Sequence, residues 1–174
     1  MRVALAALAL TAVAAVAHAG EPSGGATKNN PTFAELQGDV TVVSFWATWC
    51  PPCVAELPSL AALAAHVDGK ATRVVAISVQ DGDGATEARR LFAARKLTIP
   101  LMTDGKSLYA RFFHVTKVSV PRLAVIDRHG RGFTLEGFAP DESPADFVHE
   151  LDDVIARVRA GTKAPPEGWR RLRR

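Results

Sequence analysis

The chain is poor in cysteine, with two in 174 residues, and both fall within one stretch, Trp46-Ala47-Thr48-Trp49-Cys50-Pro51-Pro52-Cys53. Two thiols three positions apart make a poor structural staple. In the chain-entropy picture such a short loop is worth about 2 kcal/mol at best, against about 3 for a 15-residue loop. A closed zinc site needs four ligands, and His66, His114, His129 and His149 show no ligand-like spacing with the pair. They read as surface or partly buried side chains. Covalent haem attachment needs a histidine directly after the second cysteine, and Val54 stands there. An excess of one charge is also lacking, since 21 basic side chains face 18 acidic ones for a net +3. That balance argues against a nucleic-acid partner. After the N-terminus no segment is apolar enough to span a bilayer, and neither an internal repeat nor a second domain is evident.

What is present begins with a targeting segment. Arg2 precedes an uncharged apolar run from Val3 to Ala17, and Ala17-His18-Ala19 is a small-x-small cleavage site, so residues 1–19 read as a secretory signal peptide. About 15 apolar residues fall short of the roughly 20 that a membrane anchor needs. Loss of Arg2 leaves 20 basic against 18 acidic side chains. Residues 20–32 mix Gly, Pro, Ser and Asn without periodicity and read as a flexible leader. A single domain is expected over 33–161. The basic ending 162–174, with Pro165-Pro166 and Trp169-Arg170-Arg171-Leu172-Arg173-Arg174, reads as a solvated, poorly ordered tail rather than a docking element.

Within the domain, Val40 to Trp46 is a short β-rich apolar run, as in a strand buried on both sides. From Pro51 to Val67, apolar residues at helical spacing predict a helix with prolines in its first turn and a kink at Pro58. Arg73 to Val79 is a second strand, Asp81 to Gly84 a turn, and Thr86 the cap of a helix running through Lys96. A short strand at Leu101-Met102, a short helix over Ser107 to Phe113 and a strand over Leu123 to Ile126 follow. Asp127 to Gly130 turns that strand into a hairpin with Gly132 to Glu136. Ser143, Pro144 and Asp146 supply the N-cap, N1 and N3 of a last helix that stops at Gly161. The alternation predicts an α/β fold, a central mixed sheet with helices on both faces.

Cys50 therefore stands at a strand-to-helix junction, where unpaired helix N–H groups and the positive end of the dipole favour a thiolate. Cys53 lies one turn further in, close enough to attack the Cys50 sulfur yet less accessible to solvent. Thiol–disulfide exchange divides its labour in this way, one sulfur attacking a substrate disulfide and the second resolving the mixed disulfide. Two thiolates can also hold a soft ion such as Cu(I), the alternative of a metal carrier.

The stretch Ser44 to Pro58, SFWATWCPPCVAELP, together with Val120-Pro121 and the Ile126 to Gly130 hairpin, resembles the TlpA/ResA group of exported thioredoxin-like proteins over about Phe33 to Ala160. The resemblance implies a thioredoxin-like fold with Pro121 as a cis-proline beside the two sulfurs and the Val120 backbone pairing with an extended substrate. Trp49, with Pro51 and Pro52, is expected on the contact surface, and Trp46 in the core. Glu56 matches an acid that the group often carries three residues after the second cysteine, and otherwise reads as a solvated helix residue. Two departures stand out. Ser44 occupies the place where many thioredoxins bury a proton-relaying aspartate; Asp81 is either a shorter substitute for a glutamate of some ResA-like proteins or a solvent-facing turn residue. Arg122 stands where a small polar residue is common, and a cation there lowers the Cys50 pKa or selects an acidic partner.

These readings combine into an exported, periplasmic thiol–disulfide oxidoreductase with no cofactor beyond its own Cys50-Cys53 pair and no resident metal. Its expected partners are disulfide-containing client proteins, with cytochrome c maturation or oxidase metal-site thiols as the client class implied by the resemblance, and a membrane-bound thiol donor. An oxidase or isomerase direction is the alternative, because the Pro-Pro dipeptide, Val120 and Arg122 all enter the redox balance.

Overall fold

The computed structural model describes residues 31–67, 71–137 and 143–172. The expected signal peptide and the leader up to residue 30 lie outside the described residues. The elements are α1 (Phe33–Leu36), β1 (Val40–Trp46), α2 (Pro51–Val67), β2 (Thr72–Ser78), α3 (Gly82–Ala94), β3 (Leu101–Met102), α4 (Lys106–Phe113), β4 (Arg122–Asp127), β5 (Gly132–Glu136), α5 (Pro144–Arg159) and β6 (Arg170–Arg171). The strands form one sheet in the order β3-β2-β1-β4-β5-β6. Pairing is parallel between β1 and β2 and between β2 and β3, and antiparallel elsewhere.

β1 lies at the centre because its sequence can tolerate no solvent: all seven of its residues are buried. Side chains alternate across a strand, and the adjacent Phe45 and Trp46 show what covers each face. Phe45 meets the rings of Tyr109, Phe112 and Phe113 on α4 at centroid distances of 5.3 to 5.5 Å. Trp46 meets Phe92 of α3 at 5.3 Å. Arg95, at the C-cap of α3, donates to the Val54 carbonyl of α2, and α2 packs on α5, so these three helices share the Trp46 face. α1 joins α4 on the other through Phe33 and Phe112.

The hairpin from β4 to β5 needs a glycine at its second strand's start, since a Cβ on Gly132 would fall 1.8 Å from the Val125 carbonyl oxygen. The α5 cap is as the sequence predicts, with Ser143 Oγ accepting from the Asp146 N–H and Pro144 in the first turn. α2 runs from Pro51 to Val67 with Pro58 inside it.

Two expectations are corrected. The segment Asp81 to Gly84 is a helix start rather than a turn: Asp81 is the N-cap of α3, and Thr86 lies one turn inside, its hydroxyl donating to the Gly82 carbonyl. The ending is also not a solvated tail as far as Leu172. Arg170 and Arg171 pair with Thr134 and Phe133 of β5, and the Leu172 N–H donates to the Gly132 carbonyl. Trp169 is buried, its indole N–H donating to Glu150 of α5 at 2.7 Å. Polar composition misleads here because arginine can place its backbone in a sheet and leave its head in water, while a buried indole with its N–H satisfied anchors the segment.

Candidate active site

Cys50 ends the loop that leaves β1, and its carbonyl accepts the first helical bond of α2 from the Val54 N–H. Cys53 is one turn along. The two form a disulfide with a Cα–Cα distance of 5.3 Å. The Cys53 backbone N–H points at the Cys50 sulfur, 3.3 Å away, so a free N–H of the helix start is directed at that atom. On reduction it stabilises negative charge there, together with the helix dipole. Cys50 is 4% exposed and Cys53 1%. Both are buried, Cys53 the more deeply.

The loop before β4 closes over this corner. The Val120–Pro121 peptide is cis, Pro121 is buried, and the Val120 carbonyl oxygen lies 3.6 Å from Cys50 Sγ. Trp49 is the large hydrophobic side chain left exposed among the described residues, at 62%. Pro51 is exposed and Pro52 half-buried beside it. Together they make an apolar surface around a recessed sulfur.

Glu56 is fully buried in α2, one turn beyond Cys53, so the reading of a solvated helix residue is set aside. Ser44 is buried on the Trp46 face, and its hydroxyl has no hydrogen-bond partner among the described residues.

Arg122 and Asp81 do not join the cysteines. The Arg122 side chain lies on the opposite face, in register with Phe45. Its guanidinium stacks 3.8 Å above the Phe113 ring and pairs with Glu136 at 2.7 Å. Asp81 is exposed and lines a separate cleft with Asp104 and Lys106. His66, His114, His129 and His149 are exposed and scattered, and among the described residues no three His, Cys, Asp or Glu side chains gather as metal ligands.

Two clasps that hold the site were not singled out by the sequence. The Gln80 side chain accepts from the Thr48 N–H at 2.6 Å and donates to the Thr48 hydroxyl at 3.1 Å. That hydroxyl donates to Glu87 at 2.9 Å. This clasp fixes the residue before Trp49 from a position 32 residues away. Gly84 makes room for it, since a Cβ there would meet Gln80 Nε2 at 2.7 Å. On the other side, the Tyr109 hydroxyl donates to the Ser119 carbonyl at 2.7 Å and accepts from the Ser119 N–H at 3.1 Å. Ser119 immediately precedes Val120, so one buried phenol sets the height of the loop over Cys50. The only local signal was a lone tyrosine in the short helix expected over Ser107 to Phe113.

The matches to known proteins agree with this architecture. A family model described as the AhpC/TSA family matches residues 18–131, and the chain belongs to that family. It is 25% identical over 95 residues to sporulation thiol-disulfide oxidoreductase A of Bacillus subtilis, covering 54% of this chain and 56% of the relative. To the thiol-disulfide oxidoreductase ResA of Oceanobacillus iheyensis it is 41% identical over 47 residues, 27% of this chain and 24% of the relative. The chain thus spans about half of the first of these relatives and a quarter of the second. Among solved structures, one described as a putative thiol:disulfide interchange protein DsbE from Chlorobium tepidum superposes with a TM-score of 0.57 at 27% identity, covering 72% of this chain and 84% of that one. The fold is thioredoxin-like, as the motif around Cys50 implies.

Proposed function

We propose that the protein is an exported thiol–disulfide oxidoreductase that reduces disulfides in client proteins outside the cytoplasm. The observation that carries the reading is the Cys50-Cys53 disulfide at the start of α2, with a helix N–H on one side of Cys50 Sγ and the Val120 carbonyl on the other. In the reduced protein the Cys50 thiolate attacks one sulfur of a client disulfide. The client S–S bond breaks, its second sulfur leaves as a thiolate, and a mixed disulfide to Cys50 forms. Cys53 then loses its proton and attacks Cys50 Sγ, so the client leaves with two thiols and the protein carries the disulfide. Glu56, one turn from Cys53 and buried, accepts the Cys53 proton. The Val120 backbone pairs with the extended client segment, and Trp49 with Pro51 supplies the apolar contact.

A membrane-bound dithiol donor restores the starting state. Among the described residues no helix is long and apolar enough to cross a membrane, and residues 1–19 serve as the export signal. The clients are proteins of cytochrome c maturation or exported oxidases with metal-site thiols, in keeping with the TlpA/ResA resemblance. The reduction potential of the pair, obtained by equilibration with graded dithiothreitol or glutathione couples, tests direction. A value well below about −200 mV supports a reductant, and one near about −120 mV overturns it in favour of disulfide formation.

A further inference from the structure

The Cys50 N–H donates to the Ala47 carbonyl at 3.2 Å, so Thr48 and Trp49 are the central residues of a β-turn. Trp49 is exposed and Thr48 only half-buried, and burial alone does not fix such a turn. Gln80 supplies what packing does not. Its backbone is tied down on both sides, the N–H donating to the Ser78 hydroxyl at 3.2 Å and the carbonyl accepting from the Asp104 N–H at 2.9 Å. Its amide meets both polar groups of Thr48, and the bonds run in one order. The Thr48 hydroxyl gives its single proton to Glu87 of α3, so toward Gln80 it can only accept. Gln80 Nε2 therefore donates to it, and Gln80 Oε1 takes the Thr48 N–H. Only a side chain that carries a donor and an acceptor on one planar group completes this pair of bonds.

We propose that Gln80 is a positioning residue for client recognition: it holds the turn of Thr48 and Trp49 so that the indole stands beside Cys50, and it thereby sets a preference for apolar peptide disulfides over small polar ones. The inference rests on the thiol–disulfide exchange proposed above and deepens it. A small disulfide needs only Cys50 Sγ, whose neighbouring groups, the Cys53 N–H and the Val120 carbonyl, belong to other segments. Cys50 itself is held by α2, where its carbonyl accepts from the Val54 N–H. A client chain needs the sulfur and the indole together, and a turn free to rock loses the second while it keeps the first. Gly84 completes the arrangement from α3. A Cβ on it would fall 2.7 Å from Gln80 Nε2 and 2.9 Å from Gln80 Cβ, so the bare backbone there leaves the amide its place.

The test measures how fast the reduced protein reacts with two probes, glutathione disulfide and the disulfide-linked dimer of a synthetic Val-Cys-Phe peptide. The unsubstituted protein should prefer the apolar probe. Gln80→Ala should lower that preference about tenfold, with less than about twofold change toward glutathione disulfide. Gln80→Glu keeps an acceptor for the Thr48 N–H but loses the donor, and should fall between. Thr48→Ser keeps both polar groups and should retain the preference. Gly84→Ala alters no bonding group and suits a helix better than glycine, so resistance to denaturant should not fall, yet displacement of the amide should lower the preference. A clasp that served stability alone would not give that result. If Gln80→Ala does not fold, Gln80→Glu and Gly84→Ala carry the test. A folded Gln80→Ala that slows toward both probes alike, or toward neither, would overturn the proposal, as would an unsubstituted protein with no preference for the apolar probe. Reaction with neither probe would overturn the exchange function itself, and the inference with it.

Discussion

The two faces of the sheet divide the work within one residue of each other. On the Trp46 side, α2 brings Cys50, Cys53 and Glu56 to one corner, with Ser44 buried below. On the Phe45 side the described residues include interlocked rings, an arginine stacked on one of them and the Tyr109 hydroxyl. The two sulfurs thus sit on one face, and the phenol that holds the loop over them on the other. The strand-to-loop connection through Ser119, Val120 and Pro121 carries position from the second face to the first.

Five substitutions put that division at risk. The largest effect belongs to the reacting face: Cys50→Ser should abolish exchange with a protein disulfide, whereas Cys53→Ser should still attack and accumulate as a mixed disulfide visible on a non-reducing gel. Turnover retained by Cys50→Ser would end the mechanism. Next, Phe45→Ala removes a fully buried ring from the packing face and should cost about 3 to 5 kcal/mol in denaturant unfolding, while the folded fraction keeps its exchange chemistry. A loss of reactivity out of proportion to the unfolded fraction would show that the faces are not separable.

A smaller change tests the connection itself. Tyr109→Phe removes both hydrogen bonds to Ser119 and should lower stability by about 1 to 2 kcal/mol, raising the KM for a protein client more than it slows reaction with glutathione. Equal effects on both would mean that the phenol only stabilises. The smallest effect is expected at the far end of β4. Burial pushes the Asp127 carboxyl up, but hydrogen bonds from the Arg131 backbone and side chain and from the His129 N–H, with the Arg131 charge, bring it below its usual value. A depressed folded pKa gives stability that is present above the unfolded value, about 3.9, and is lost as pH falls through the folded one. Asp127→Asn should therefore be less stable than the unsubstituted protein at neutral pH, and the gap should close in acid. Exchange should not change.

What was legible in the sequence follows the range of the interactions. The strand before Cys50, the helix after it and the Ser143 cap depend on neighbours within a few positions, and the pattern of residues shows them directly. The place of both sulfurs, Cys50 at the start of α2 and Cys53 one turn in, follows from the strand-to-helix pattern. The clasp of Gln80 on Thr48 and of Tyr109 on Ser119 depends on segments that meet only after the sheet has formed, so no local pattern marks them. Arg122 was legible as a departure but not in direction, because one step along a strand changes the face on which a side chain stands. The last strand was missed for the opposite reason: four arginines and two prolines outweighed, in composition, the single tryptophan that fixes the segment.

That last strand also bears on how the molecule keeps to itself. A chain cut at Gly161, where the composition invites a boundary, would leave the slot of Trp169 empty and the outer backbone of β5 without partners. An open strand edge recruits other strands, and neighbouring copies are the nearest source. The ending that looks dispensable is then the guard against self-association, and a shortened chain should fail first by clumping at high concentration rather than by losing its redox chemistry.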